Sequence, residues 1–119
     1  MRIKIPALFL IAFQLVYCLS FKSLHSTTYI KANDEFILGN NIHRIFFAKL
    51  TNTSNFKVTI WQYPMAGGRH SPITLKPSLS VKVMVDKNTS LRIENQSNEE
   101  VAVKLKVKGD TGLSMDYKK

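Results

Sequence analysis

Residues 101–108 have the sequence Val-Ala-Val-Lys-Leu-Lys-Val-Lys, and this stretch decides the fold class. Successive side chains of a β-strand point to opposite faces of a sheet, so the alternation predicts a strand with one buried face and one cationic face. The lysines of the cationic face are Lys104, Lys106 and Lys108. Residues 79–85, Leu-Ser-Val-Lys-Val-Met-Val, alternate in the same way and place Lys82 and Met84 opposite three valines.

Short alternating segments of this kind recur along the chain and are separated by clusters of turn-forming residues. Residues 21–28 are predicted to form a polar leader, and no later stretch keeps a helical period long enough for a helix. The predicted strands are 28–31, 35–38, 42–50, 57–63, 73–75, 79–85, 90–94 and 100–108. Strands with turns every 8 to 12 residues or so are typical of sandwiches. We therefore predict an all-β fold, a small antiparallel β-sandwich of the immunoglobulin-like type with seven to eight strands.

The amino terminus differs from the rest of the chain. A positively charged start precedes an uncharged, mainly apolar stretch over residues 7–20, and Cys18 and Ser20 are the small residues that suit cleavage after position 20. This layout is typical of a secretory signal peptide. It predicts a signal peptide over residues 1–20 and one β-sandwich domain over residues 21–119, exported to the periplasm or outside the cell. The alternatives are a membrane anchor formed by an uncleaved signal and lipidation of Cys18.

Charge and cysteine content limit the function further. The chain has a formal net charge of +9, and loss of Arg2 and Lys4 with the signal peptide lowers it to +7. Because Cys18 is the only cysteine, the secreted chain has none, which excludes disulfides, thiolate catalysis and cysteine-ligated metals. A basic balance favours anionic partners such as nucleic acid, acidic glycans, lipopolysaccharide or membrane surfaces, although it also promotes solubility.

Residues 50–60 and 93–103 share the pattern apolar-x-Asn-x-Ser-Asn-x-x-Val-x-[Ile/Val] at a spacing of 43 positions. Asn and Ser side chains hydrogen-bond nearby backbone groups and so favour turns. The echo predicts two similar strand-turn-strand units, one on each half of the sandwich. The chain also contains three Asn-x-Ser sequences, at Asn52, Asn88 and Asn95. These are glycosylation sites in a eukaryotic secreted protein and otherwise simply turn residues.

The first echoing unit is apolar on both sides if it forms a hairpin within one sheet. Pairing Leu50 with Val58 across the turn leaves four large apolar side chains on the outer face. They are Ile45, Phe47, Trp61 and Tyr63. Such a face needs cover from residues 28–38, from a partner protein, or from a sugar that stacks on the rings. It is the candidate binding face for a protein partner.

Two further groups of residues are candidates for anion binding. Residues 64–70, Pro-Met-Ala-Gly-Gly-Arg-His, combine two glycines whose backbone amides can converge with the cations Arg69 and His70. The second echoing unit and the strand before it carry cations on their predicted outer sides. Together the candidate anion-binding residues are Arg69, His70, Lys82, Arg92, Lys104, Lys106 and Lys108.

The familiar catalytic and metal-binding motifs are absent from the sequence. It has neither a Gly-x-Ser-x-Gly elbow nor a His-Glu-x-x-His pair, and its three histidines are at least 18 positions apart. We therefore predict no enzymatic activity, no cofactor and no metal site. The predicted function is an exported, non-catalytic binding or structural module acting on a protein partner. The alternative is a binder of anionic envelope polymers or glycans through a basic sheet face. No specific nucleic-acid motif is present, and no membrane span is expected after signal cleavage.

Overall fold

The computed structural model describes residues 23–119, and this part of the chain forms nine strands. They are β1 (Ser23–Ile30), β2 (Glu35–Leu38), β3 (Phe46–Asn52), β4 (Val58–Pro64), β5 (His70–Leu75), β6 (Ser80–Val85), β7 (Thr89–Glu94), β8 (Val101–Gly109) and β9 (Met115–Tyr117). The predicted signal peptide over residues 1–20 lies outside the described residues. In the part that is described, no helix has the length and apolar character needed to cross a membrane.

The strands form two antiparallel sheets. The four-stranded sheet has the order β1-β8-β3-β6, and the five-stranded sheet has the order β5-β4-β7-β2-β9. Since β1 pairs with β8, β2 with β7, β3 with β6 and β4 with β5, the chain is a long hairpin rolled into a sandwich. This is the jelly-roll arrangement. The predicted small antiparallel β-sandwich is confirmed. Its strand order is not that of an immunoglobulin domain, whose first two strands share a sheet.

The core lies between the sheets and is filled by the apolar positions of the alternating strands. Val101, Val103, Leu105 and Val107 are all buried, whereas the lysines between and after them are exposed, as the sequence predicts. Burying a side chain of this size stabilises the fold by about 1.5–3 kcal/mol. The largest fully buried side chains are Phe46, Ile30, Leu38, Leu50, Ile60, Leu91 and Ile93.

The two echoing segments form equivalent connections between the sheets. One leads from β3 to β4 and the other from β7 to β8, in opposite directions across the sandwich. In each, a buried asparagine closes the loop: Asn52 Nδ2 donates to Phe56 O at 2.7 Å, and Asn95 Nδ2 donates to Glu99 O at 2.7 Å. The serine two residues later donates its amide to the asparagine Oδ1 at 3.0 Å in both loops.

The hairpin register predicted for the first echoing unit is therefore wrong. β3 pairs with β8 and β6 in one sheet, and β4 pairs with β7 and β5 in the other. The asparagines supply the physical reason, because each also bonds a carbonyl of the sheet that the chain is entering. Asn52 Nδ2 donates to Leu75 O in β5, and Asn95 Nδ2 donates to Ile30 O in β1, both at 3.0 Å.

The echo extends to the topology of the whole domain. Exchanging β3, β4, β5 and β6 with β7, β8, β1 and β2, respectively and in both directions, converts the sheet order β1-β8-β3-β6 into β5-β4-β7-β2. The eight main strands therefore have a topological two-fold symmetry, and the sequence echo marks equivalent positions in its two halves.

The buried asparagines bear on the three Asn-x-Ser sequences. Asn52 and Asn95 are 0% and 1% exposed, and their Nδ2 atoms, which a glycan would occupy, are engaged in the hydrogen bonds described above. Asn88 has a left-handed φ of 54°, and its Oδ1 accepts the amide of His43 at 3.0 Å. The structure thus favours the turn interpretation over glycosylation at Asn52 and Asn95.

The largest differences from the predicted strands are at the two ends of the domain, in β1 and β9. Residues 23–28 are not a leader, because β1 pairs with β8 from Ser23 opposite Lys108 to Ile30 opposite Val101. The sequence also does not predict β9, whose side chains are exposed. It pairs with β2 at the sheet edge, and the Tyr117 hydroxyl lies 3.1 Å from Thr28 Oγ1 in β1.

Candidate anion-binding face

The outer face of the four-stranded sheet is organised in rows that cross the strands. In the central row, Lys82, Lys49, Lys106 and His25 are direct neighbours on β6, β3, β8 and β1. At about 4.8 Å per strand, these four side chains span about 14 Å. We call this surface the lysine face. Its basic residues, all exposed, are His25, Lys49, Lys82, Lys104, Lys106 and Lys108.

No acidic residue balances these charges within the sheet. β1, β3, β6 and β8 contain five lysines and neither Asp nor Glu. Among residues 23–119, the salt bridge is that between Arg92 and Glu35, on the other sheet. Like charges directly opposite one another on a sheet destabilise it, by about 0.2–1 kcal/mol per pair. The lysine face is therefore a region of positive potential that the fold itself does not neutralise.

The face is shaped by two adjoining shallow depressions that share Lys49 and Lys106 in their linings. One has a volume of about 440 Å³ and includes His25 and Lys104 in its lining. The other has a volume of about 350 Å³ and is bordered by Phe47, Met84 and the remaining lysines, Lys82 and Lys108. A ligand lying on the face can therefore contact several ammonium groups at once.

The outer face of the five-stranded sheet has a different arrangement, in which cations are paired within the protein. Arg92 lies over the Tyr63 ring at 4.0 Å and donates to Glu35 at 3.5 Å, and Arg69 lies over the Trp61 ring at 3.9 Å. The Trp61 indole N–H donates to Glu94 at 3.2 Å. Cation–π contacts of this kind contribute about 0.5–1 kcal/mol at exposed sites. We call this set of side chains the arginine–aromatic network.

The four side chains predicted to form one aromatic face are not brought together. Phe47 is 53% exposed on the four-stranded sheet, with Ile45 just before it in the chain. Trp61 and Tyr63 lie half-buried on the five-stranded sheet, on the opposite side of the sandwich. The single aromatic face is absent because the connection between β3 and β4 crosses from one sheet to the other.

The candidate anion-binding residues divide in the same way. Lys82, Lys104, Lys106 and Lys108 belong to the lysine face, whereas Arg69 and Arg92 belong to the arginine–aromatic network. His70 begins β5, and its Nδ1 lies 2.8 Å from Ser71 Oγ.

One backbone amide of the glycine-rich loop before β5 forms a hydrogen bond within the loop itself. Gly67 N donates to Pro64 O at 2.9 Å and closes a turn, with Gly67 and Gly68 at φ values of 100° and 81°. Arg69 lies over the Trp61 ring. The proposed convergence of amides with Arg69 and His70 stays a prediction.

Sequence reasoning missed two members of the lysine face, Lys49 and His25. Lys49 lies between the buried Ala48 and Leu50, two positions after the exposed Phe47. This alternation was sufficient to predict that the Lys49 side chain points outward. His25 lies in the segment taken for a leader. Only the pairing of β1 with β8 places it beside Lys106.

The chain matches no protein-family model, and no curated protein is similar to it in sequence. Its structure is similar to the crystal structure of the Yersinia pseudotuberculosis-derived mitogen, with a TM-score of 0.50 and 18% sequence identity. The similarity covers 79% of this chain and 95% of the mitogen chain. At this identity the likeness concerns the fold alone, and it supports the description of residues 23–119 as a small β-sandwich.

Proposed function

We propose that this protein is an exported, non-catalytic binding module whose lysine face binds an anionic ligand. The ligand would carry phosphate, sulfate or carboxylate groups, as an envelope polymer or glycan does. One observation carries the proposal: Lys82, Lys49, Lys106 and His25 lie side by side in one row of a sheet that contains no carboxylate. A bound anion would offset the repulsion between these cations.

A protein partner on an aromatic face is the weaker candidate. That hypothesis needed Phe47 and Trp61 on one surface, whereas they lie on different sheets. The Trp61 ring is also in contact with Arg69 and Glu94 of its own chain. The geometry therefore favours the anionic ligand over the protein partner.

Export is supported by the amino-terminal sequence, and the described pairing of β1 is compatible with it. β1 begins at Ser23, so cleavage after Ser20 leaves its pairing with β8 intact. The mature protein is expected to begin near Phe21. The intact mass of protein recovered from the producing cell's envelope or medium tests this point. A retained Met1 or a lipid on Cys18 would contradict it.

The binding proposal is tested with inorganic polyphosphate, titrated against the chain that begins at Phe21. We expect binding that weakens steeply with added salt, since exposed charges are screened over about 10 Å at 0.1 M ionic strength. The variant Lys49→Ala/Lys82→Ala/Lys106→Ala should lose about tenfold or more in affinity, at roughly 1 kcal/mol or less for each exposed charge contact.

The matched control is Lys57→Ala/Lys76→Ala/Lys118→Ala, which removes the same charge from exposed lysines outside the four-stranded sheet. It should retain binding to within about threefold, because it changes only the long-range potential. Equal losses in the two triple variants would show that net charge, not the lysine face, attracts the anion. Absence of binding by the wild-type chain would overturn the proposal.

A further inference from the structure

The lysine face ends in a group of exposed apolar side chains. Phe47 and Met84 are direct cross-strand neighbours, 53% and 57% exposed, in the row next to the central lysines. Ile45 and Ile42, 43% and 79% exposed, lie in the segment that leads into β3. We call these four residues the apolar end. Large apolar side chains that are exposed together mark an interaction surface more often than isolated ones do.

The loop that carries the two isoleucines is held in place by the fold. His43, between them, is buried, and its backbone amide donates to Asn88 Oδ1 at 3.0 Å. Its ring nitrogens lie 2.6 Å and 2.8 Å from the carbonyl oxygens of Arg44 and Thr89. These bonds anchor the loop at His43, and Ile42 and Ile45 on either side of it are exposed.

Cations surround the apolar end. Lys108 is the direct neighbour of Phe47 on β8, and Arg44 and Lys87 line the same 690 Å³ depression as Ile42 and Ile45. The acidic side chain at this depression is Asp110, whose oxygens accept the amides of Arg44 and Gly112, each at 2.8 Å. The tip of the molecule therefore combines exposed apolar groups with three cations, Arg44, Lys87 and Lys108, which outnumber the two acids Asp86 and Asp110 there.

We infer that the ligand of the lysine face is the surface of an anionic lipid bilayer, into which the apolar end inserts. This inference rests on the proposed function, whose anion it identifies as lipid phosphate. An anionic polymer would meet the lysines but would leave Phe47 and Met84 exposed to water. A bilayer offers both an anionic layer and, beneath it, hydrocarbon.

The spacing along β3 fits this orientation. Two residues of a strand span about 6.8 Å, which is the distance from the row of Phe47 and Met84 to the row of Lys49 and Lys82. Apolar groups of peripheral proteins lie about 5–10 Å into the boundary between headgroups and acyl chains. With the strands upright on the membrane, the central lysine row would lie at the level of the lipid phosphates.

The test measures co-sedimentation with vesicles of phosphatidylcholine alone and of equal parts phosphatidylcholine and phosphatidylglycerol. The wild-type chain from Phe21 should bind only the anionic vesicles. Phe47→Ser/Met84→Ser should lose about tenfold or more in vesicle affinity, since it removes the apolar surface that the bilayer would bury. The same variant should bind inorganic polyphosphate within about twofold of the wild type.

The matched control is Tyr29→Ser/Leu79→Ser, which removes two exposed apolar side chains, 58% and 53% exposed, from the opposite end of the sandwich. It should bind vesicles as the wild type does, and thermal unfolding should show both double variants folded. Polyphosphate binding without vesicle binding, or vesicle binding unaffected by Phe47→Ser/Met84→Ser, would overturn the lipid inference and leave the proposed function standing. Failure to bind either probe would overturn both.

Discussion

The outer faces of the two sheets both carry cations beside aromatic or apolar side chains, but they use them differently. On the five-stranded sheet, Arg92 contacts Tyr63 and Glu35, so charge and ring are satisfied within the chain. On the four-stranded sheet, Lys49 lies between two other lysines, and Phe47 is exposed beside it. Cations and rings that contact one another within the chain stabilise the fold. An unsatisfied row of like charges leaves a positive potential that a bound anion would offset, which is why the binding proposal rests on this face.

The largest expected effect concerns the two asparagine loops that connect the sheets. The two loops have equivalent hydrogen bonds, so equivalent substitutions should have similar effects. Asn52→Ala and Asn95→Ala each leave at least two carbonyl oxygens without the side-chain donor that they have in the wild type. At about 1–3 kcal/mol for an unsatisfied buried group, each should lower the free energy of unfolding by about 2–4 kcal/mol. Urea unfolding measures both.

The exposed asparagines of the same two loops provide controls. Asn55→Ala and Asn98→Ala should change the free energy of unfolding by less than about 0.5 kcal/mol. If one of the buried asparagines proved dispensable and the other essential, the two halves of the sandwich would not be energetically equivalent, whatever their topology.

The next effect compares one aromatic side chain from each face. Trp61→Ala removes a half-buried ring that contacts Arg69 and donates to Glu94, and should cost about 2 kcal/mol, less than the 3–5 kcal/mol of a fully buried ring. Phe47→Ala removes an exposed ring and should cost less than about 1 kcal/mol. Thermal unfolding of the two variants side by side measures the difference. Equal losses would mean that Phe47 supports the fold as much as Trp61 does.

A smaller effect concerns the lysine repulsion. Lys49→Ala separates Lys82 from Lys106 in the central row and should raise the free energy of unfolding at low salt by about 0.5 kcal/mol. The wild type should gain a similar amount on addition of salt, and the variant should gain less. Lys57→Ala, outside the four-stranded sheet, is the control. If the free energy of unfolding depended on salt in the same way in all three proteins, repulsion between lysines would not distinguish this face from the rest of the surface.

The smallest effect concerns the acid nearest to the lysine face. Hydrogen bonds from the backbone amides of Arg44 and Gly112 lower the pKa of Asp110 below its ordinary value of 3.8. A lowered pKa in the folded state stabilises the fold above the ordinary value, and this contribution is lost as the pH falls through the lowered one. Asp110→Asn should slightly lower the melting temperature at neutral pH and reduce the acid sensitivity below pH 3.8. Identical acid profiles of the two proteins would contradict it.

The strands were predictable because their signal is local. The alternation over residues 101–108 and 79–85 assigned inward and outward positions correctly, and β2 has the predicted bounds. The first five residues of β1 and all of β9 escaped prediction because they carry few apolar side chains and gain their order from pairing with β8 and β2. Such pairing depends on residues distant in the chain, which no local pattern records.

The candidate site was predictable in part for the same reason. Lys82, Lys104 and Lys106 alternate with apolar residues in the sequence, so their outward positions followed from the two-residue period of a strand. That β3 lies between β6 and β8, and so inserts Lys49 into the middle of these lysines, was not visible. Nor was the separation of Phe47 from Trp61, since an asparagine turn serves a hairpin and a crossing between sheets equally well.

By itself, the amino-acid sequence determined that the domain is a β-sandwich, which sides of β3, β4, β6 and β8 are buried, and where the two asparagine turns fall. These follow from hydrophobic periodicity and from the hydrogen bonding of Asn and Ser side chains, which act within a few residues. Only the tertiary structure decided which strands are neighbours, and therefore that lysines from three strands and a histidine from a fourth form one row. The reason is that strand order is set by long-range pairing and core packing. Alternation along a single strand is the same whichever strands are its neighbours.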